Sequence, residues 1–245
     1  MTNGINKERV WKRGQTSGSA RLAKKREDDL ISLTMGFMGS MVAVFMLRMF
    51  SDKITMYMPV SLRAPLLFVL YWVVAVIPII LIRQDKMHAP ELGFEKRSIP
   101  GQILIGIGLG LGTSLVLTGI PTLAGLGRFI SNGKGYTEPW QLIYEFAYCI
   151  LAVSAAEELV FRGFIFCKLK DLFGKEIYAA VGSSLLFGLF HIFTGSILRV
   201  FMTAVLGFIF CLYKTKLKNC TLLSLILCHG IYDAMISIWA LYPKK

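Results

Sequence analysis

The residues best suited to chemistry in this sequence are two adjacent glutamates and an arginine inside an apolar run. Glu157, Glu158 and Arg162 lie in the stretch AAEELVFRG, where most neighbours are Leu, Val, Ile and Phe. An ionisable side chain costs about 2.5–3.5 kcal/mol at the centre of a membrane helix, so it persists where it pairs, faces water or does chemical work. Glu158 and Arg162 are four residues apart and can pair on one helix face. Glu157 lies about 100° around the helix, so pairing does not explain this carboxylate.

Two histidines and an aspartate complete a possible hydrolytic site. His191 follows Phe187 by four residues, and His229 precedes Asp233 by four, each pair in its own apolar run. An imidazole beside a carboxylate can hold a water and take its proton, and a further donor can stabilise the oxyanion formed on a carbonyl. The pattern predicts peptide-bond hydrolysis, in which Glu157 and His191 act on water. His229, oriented by Asp233, would then donate to the oxyanion.

Membrane-crossing helices are needed to position these residues. The 245 residues are 55% hydrophobic and only 17% charged, less charged than a typical soluble domain. Several apolar runs reach the roughly 20 residues that span a bilayer. The third run alternates small residues (Gly106, Gly108, Gly110 and Gly112), which lets another helix approach closely. The sequence predicts an all-α polytopic membrane protein with seven or eight spans. The seven identified spans are 30–47, 64–82, 101–125, 140–166, 176–193, 196–213 and 220–241.

The charge distribution predicts how these spans are organised and oriented. We expect a basic N-terminal arm over 1–29, N-terminal transmembrane helices over 30–125 and a catalytic transmembrane core over 126–245. The net charge of +12 fits basic cytoplasmic loops and anionic lipid, and no nucleic-acid partner is expected. With the N-terminus inside, the cytoplasmic segments hold 18 Lys and Arg residues and the opposite side holds 7. The N-terminus is therefore expected in the cytoplasm, with the site in the cytoplasmic half of a bacterial cell membrane.

The three motifs resemble those of the CPBP family of intramembrane proteases, which comprises CAAX proteases and bacteriocin-processing (Abi) enzymes. The family pattern is EExxxR, then FxxxH, then HxxxN or HxxxD, on separate helices. This chain has the blocks in that order at 157–162, 187–191 and 229–233, and the resemblance covers about residues 140–240. It implies a glutamate-dependent endopeptidase without a metal cofactor, related to the enzymes that trim prenylated CAAX proteins.

The resemblance also divides the matching residues into a catalytic set and a supporting set. The catalytic set is Glu157, His191, His229 and Asp233, and the supporting set is Glu158, Arg162 and Phe187. Eukaryotic CAAX enzymes have asparagine where Asp233 stands. An ionised aspartate cannot donate a hydrogen bond, so Asp233 is either protonated or acts by orienting His229.

Other functions remain open from the sequence. Two histidines and a glutamate could bind zinc with an open position, which would give a zinc-dependent intramembrane protease, although HExxH is absent. A serine mechanism could start from Ser183 or Ser184, but it leaves Glu157 idle. A non-enzymatic membrane scaffold or bacteriocin-immunity protein could use the same fold. For the protease, the expected partner is a membrane-associated peptide or protein, such as a prenylated CAAX tail, a bacteriocin-type precursor or a signalling peptide.

Overall fold

The computed structural model describes residues 3–127 and 138–241, and in these ranges the chain forms helices and no strand. The all-α prediction is therefore confirmed. The helices before residue 128 are α1 (Asn3–Tyr57), α2 (Val60–Tyr71), α3 (Val73–Gln84), the short α4 (Ala89–Leu92) and α5 (Ile99–Leu126). The later helices are α6 (residues 139–173), α7 (Glu176–Phe190), α8 (Ile197–Lys216) and α9 (Leu222–Trp239).

Most of these helices are suited to a lipid environment. Among the described residues, six helices are long and apolar enough to cross a membrane. They are Ala20–Tyr57, Val60–Gln84, Ile99–Leu126, Glu176–Thr194, Ile197–Lys216 and Leu222–Trp239. The predicted span 140–166 is also helical, but it is not one of these six apolar helices. The chain is an integral membrane protein, as its apolar runs predict.

Some predicted boundaries differ from the structure. The first helix begins at Asn3, within the predicted basic arm, and α6 continues to Phe173, beyond the expected end of its span at residue 166. Residues 128–137 of the predicted loop and 242–245 at the C-terminal end lie outside the described residues.

The central helix α6 changes its winding on both sides of the glutamate pair. Cys149–Ser154 and Leu159–Ile165 are π-helical, and the short stretch Ala155–Glu158 between them is α-helical. Wider π turns release backbone carbonyls from the usual hydrogen-bond ladder, and they are common at functional sites. Side chains from two other helices bind carbonyls of the second π segment. Ser183 Oγ donates to the carbonyl of Phe161 over 2.7 Å, and Lys214 Nζ donates to that of Arg162.

The N-terminal helices pack against α6 through buried polar contacts. Ser40 Oγ of α1 donates to the Val74 carbonyl of α3 over 2.8 Å. Lys168 of α6 pairs with Asp29 of α1 at 2.7 Å and with Asp85, just after α3, at 2.8 Å. Burial lowers the pKa of Lys168, but its bonds to these two carboxylates outweigh that effect and raise the pKa, so the lysine stays charged. The three helices are thus tied together at one end of the bundle.

Close packing of α5 against α9 depends on two of the four alternating glycines. A Cβ at Gly110 would lie 2.8 Å from the Cys228 carbonyl oxygen, and one at Gly106 would lie 2.7 Å from that of Ser224. A Cβ at Gly108 or Gly112 would meet nothing within 4 Å. The contact face is therefore the i,i+4 pair Gly106 and Gly110, and Cys228 precedes the site residue His229.

We expect Gly110→Ala to destabilise the protein by about 1–3 kcal/mol, because the added methyl group overpacks a tight contact with backbone atoms. Thermal unfolding of the purified protein in detergent measures the effect. Gly108→Ala is the matched control, because it adds the same methyl group to the same helix in open space. Equal stability of the two variants would contradict the close approach of α5 and α9.

Candidate active site

Glu157 lies in the α-helical stretch between the two π segments and is 2% exposed. Its Oε1 accepts a hydrogen bond from the hydroxyl of Tyr71, the last residue of α2. Its Oε2 lies 3.8 Å from Nε2 of His229 and, within the described residues, has no hydrogen-bond partner. One oxygen of this buried carboxylate is thus held, and the other is available for a reacting group.

Glu158 connects the arginine and the histidine. Its Oε1 accepts from Arg162 Nη1 over 2.9 Å and lies 2.8 Å from His229 Nδ1. The side chains of Glu158 and Arg162 are fully buried. The pairing of Glu158 with Arg162 follows from their spacing. The contact of Glu158 with His229 depends on how α6 and α9 pack, so spacing along the chain does not predict it. The second glutamate therefore orients the imidazole as well as neutralising the arginine.

The other nitrogen of His229 faces acidic oxygens. Nε2 lies 3.3 Å from Asp233 Oδ2, one turn along α9, and 3.8 Å from Glu157 Oε2. Because carboxylates surround the ring on both sides, the doubly protonated ring satisfies this arrangement best, since only that form donates from both nitrogens. His229 is thereby placed to donate toward a developing negative charge.

The guanidinium of Arg162 is packed between aromatic rings. Its Cζ lies 4.2 Å from the centroid of Phe187 and 5.4 Å from that of Phe210. Gly207 leaves the necessary room, because a Cβ there would lie 3.1 Å from Arg162 Nη2. Cation–π contacts stabilise a desolvated guanidinium. Phe187 thus supports the site by packing on Arg162.

His191 occupies the C-cap position of α7, at the edge of this cluster. Its Nδ1 lies 2.9 Å from the Phe187 carbonyl oxygen. Because a carbonyl only accepts a hydrogen bond, Nδ1 carries a proton and donates to it. Among the described residues, the polar contacts of Glu157 are with Tyr71 and His229, so His191 does not bind it directly.

The helix geometry nevertheless brings His191 toward Glu157. The Ser183–Phe161 hydrogen bond sets the level of α7 against α6. Glu157 lies four residues before Phe161 in α6, and His191 lies eight residues after Ser183 in α7. Because the two helices are antiparallel, both residues lie in the same direction from this hydrogen bond, and their backbones are offset along the helix axes by about 6 Å. Side chains tilt toward the N-terminus of their own helix, which reduces this axial offset between the two side chains. Both imidazoles also contact the Phe187 ring, with centroids at 4.9 Å for His191 and 5.8 Å for His229.

The serine alternative has no support in the contacts. Ser183 Oγ is bonded to the Phe161 carbonyl, and Ser184 Oγ donates to the Ala180 carbonyl over 2.5 Å. Both hydroxyls serve the backbone, as small polar residues commonly do in membrane helices.

The zinc alternative requires several donor side chains arranged around one point. Across residues 3–127 and 138–241, no group of three or more His, Cys, Asp and Glu side chains is arranged to hold a metal ion. Glu158 and Asp233 already face the two nitrogens of His229. Both ring nitrogens of His229, one of the two histidines in the zinc alternative, are therefore directed at carboxylates.

Sequence motifs alone did not single out Tyr71. It lies in an apolar run, VLYW, 86 residues before Glu157, and it belongs to none of the three motifs. A tyrosine in a membrane helix is also common for packing or interface reasons. Only the register between α2 and α6 identifies it as a neighbour of Glu157.

Comparison with protein-family models gave one match. Residues 139–235 match the model described as Type II CAAX prenyl endopeptidase Rce1-like. The matched segment contains all three motifs and ends just after Asp233. Comparisons with curated proteins and with solved structures found no match.

Proposed function

Through residues 139–235 the chain belongs to the CAAX/CPBP family of intramembrane proteases, and from this premise we propose that it is a glutamate-type endopeptidase. In this proposal it hydrolyses a peptide bond in a membrane-associated peptide or protein. The observation that carries the mechanism is the free Oε2 of Glu157, buried 3.8 Å from His229 Nε2. That distance is too long for a direct hydrogen bond, so Oε2 keeps its capacity to accept a hydrogen bond from a reacting group.

The proposed reaction begins with a water held by Glu157 Oε2 and the free Nε2 of His191. Glu157 takes a proton from the water as the oxygen attacks the carbonyl carbon of the scissile peptide bond. The carbonyl oxygen becomes an oxyanion and accepts a hydrogen bond from His229 Nε2–H. The C–N bond then breaks, and the proton on Glu157 passes to the leaving amine. Atoms and charge balance with water as the only co-reactant.

The buried surroundings strengthen each of these interactions. Charges interact more strongly at low dielectric, so a donor aimed at the oxyanion stabilises it more than in water. Glu158 fixes the other side of the His229 ring and keeps Nε2 directed into the site. We propose that the reaction needs no metal. Stoichiometric zinc in the purified protein, with loss of cleavage when a chelator removes it, would contradict that part of the proposal.

The membrane orientation in this proposal has a cytoplasmic N-terminus. Gly163 of α6 packs against Leu222 at the start of α9, so these positions are level. Glu157 is six residues from Gly163 and His229 is seven from Leu222, so each lies about 9–11 Å deeper along its helix. Lys168 and Lys214 lie at the same end, which fits the cytoplasmic side of a bacterial cell membrane.

The decisive experiment compares membrane peptides from cells that carry the native chain with those from cells that carry Glu157→Gln. We expect a defined set of cleaved peptides with the native chain and its loss with the variant at equal expression. Prenylated CAAX tails and unmodified precursors would be separated by the mass of the cleaved peptides. Identical peptide sets at equal expression would contradict the proteolytic mechanism.

Asp233→Asn is expected to keep cleavage within about tenfold of the native rate, because asparagine oxygen can still accept from His229 Nε2–H. Asp233→Ala removes that acceptor and is expected to lose about 10–100-fold. Initial cleavage rates of the purified variants measure both effects, with thermal unfolding as a check on the fold. An equal loss in both variants would mean that the site requires an ionised carboxylate at this position.

A further inference from the structure

We propose that Tyr71 is a positioning residue for Glu157, supplied by a helix outside the segment that matches the protease family. The inference rests on the proposed function, because it assigns Tyr71 a role in activating water. Its starting point is the hydrogen bond from the Tyr71 hydroxyl to Glu157 Oε1. Tyr71 precedes the matched residues 139–235, so the N-terminal helices would complete the active site.

The local backbone brings Tyr71 to the site. Helix α2 ends at Tyr71, Trp72 forms a turn, and α3 begins at Val73. The Tyr71 ring packs edge-on against Tyr148 of α6, with centroids 6.0 Å apart. Tyr148 is stacked with Tyr144, one turn before it, at 5.8 Å. The tyrosine is thus held from the side while its hydroxyl reaches the carboxylate.

This bond has a direct consequence for the geometry of the carboxylate. The terminal torsion of a glutamate is broad and roughly two-fold, so an unrestrained carboxylate samples many orientations. With Oε1 held by Tyr71, Oε2 is directed toward His229 Nε2 at 3.8 Å. Tyr71 would therefore fix the orientation of the base.

Tyr71 donates a hydrogen bond to Glu157 from within a cluster of titratable side chains. The titratable groups around Glu157 come from α2, α6, α9 and the end of α7, and they are Tyr71, Tyr148, Glu158, Arg162, His229, Asp233 and His191. Arg162 is bonded to Glu158, and His229 faces Glu158 and Asp233. Tyr71 is the group that holds Glu157 itself.

A purely structural role is the competing explanation, and the chain offers a matched control for it. Tyr144 of α6 donates its hydroxyl to the Ala64 carbonyl of α2 over 2.7 Å. Tyr71 and Tyr144 therefore each tie α2 to α6 with one phenol hydrogen bond. Only the Tyr71 bond ends on the catalytic carboxylate. Replacing each tyrosine by phenylalanine removes the same hydroxyl from the same pair of helices.

The test uses the full chain purified in detergent, with an internally quenched peptide ending in a farnesylated CAAX box as the probe. We expect Tyr71→Phe to lower kcat by about 10–100-fold with KM within about threefold of native. Tyr144→Phe should keep the native kcat and KM. Equal effects in both variants, or no effect of Tyr71→Phe, would overturn the proposal.

A spectroscopic measurement tests the contact without a substrate. The carboxylate band of Glu157 is identified as the infrared difference between the native protein and Glu157→Gln. We expect this band to shift in Tyr71→Phe and to stay in place in Tyr144→Phe, and an unshifted band in Tyr71→Phe overturns the inference. Failure of the proposed function would look different, because the native protein and Glu157→Gln would then cleave the peptide equally or not at all.

Discussion

Replacing Glu157 by glutamine is expected to lower the cleavage rate by about 10³-fold or more while leaving the fold intact. Glutamine has nearly the same shape, and its carbonyl oxygen can still accept from Tyr71. Its amide cannot take a proton from water, so the attacking oxygen would remain a neutral and weak nucleophile. The variant therefore removes the base and retains the packing of the buried side chain.

The measurement is the initial cleavage rate of the purified variant, together with its thermal unfolding in detergent. Glu145→Gln is the matched control, because Glu145 is also a buried glutamate of α6. Its Oε1 faces Ser237 Oγ at 3.3 Å, in a different environment from Glu157. We expect that control to keep the native rate. A Glu157→Gln variant that is folded and equally active would exclude glutamate-dependent hydrolysis.

The sequence predicted contacts within a helix better than contacts between helices. The pairs Glu158–Arg162 and His229–Asp233 follow from i,i+4 spacing, and both are present at 2.9 and 3.3 Å. The contact of Glu158 with His229 joins residues 71 positions apart in the chain. Spacing defines the face of one helix, whereas such a contact also depends on how two helices are shifted along each other.

The winding of α6 could not be predicted for a related reason. The segment AAEELVFRG has no proline that would mark a break, and its residues are compatible with a regular helix. The π turns release the carbonyls of Phe161 and Arg162, which are then bound by Ser183 and Lys214 from other helices. The local winding therefore depends on tertiary partners that no local pattern identifies.

Polar contacts join the N-terminal helices to the predicted catalytic core. The family match begins at residue 139, so it does not include α1, α2 or α3. Yet Lys168 is held by carboxylates next to or within those helices, and Glu157 is bonded to Tyr71. Polar contacts buried in a membrane protein are specific, because few alternative partners exist in lipid. The N-terminal helices therefore contribute to the geometry of the site.

Arg162→Met is expected to be the most destabilising of the substitutions considered, by about 3–5 kcal/mol, because it leaves the Glu158 carboxylate buried without its cation. Both side chains are fully buried, so water cannot replace the lost partner. For a chain of this size, the loss corresponds to a fall in Tm of roughly 10 °C. Thermal unfolding of the purified protein in detergent measures it.

The double variant Glu158→Gln with Arg162→Met separates charge pairing from packing. Neutral glutamine needs no cation, so we expect the double variant to recover most of the Tm lost in Arg162→Met. Stability that stays as low in the double variant would attribute the loss to the arginine's packing on Phe187 and Phe210. Cleavage should remain impaired by about 10–100-fold even when stability returns, because the bond from His229 Nδ1 then ends on a neutral oxygen. Recovery of stability without recovery of rate would assign Glu158 to the orientation of His229, since a purely structural clamp would restore both.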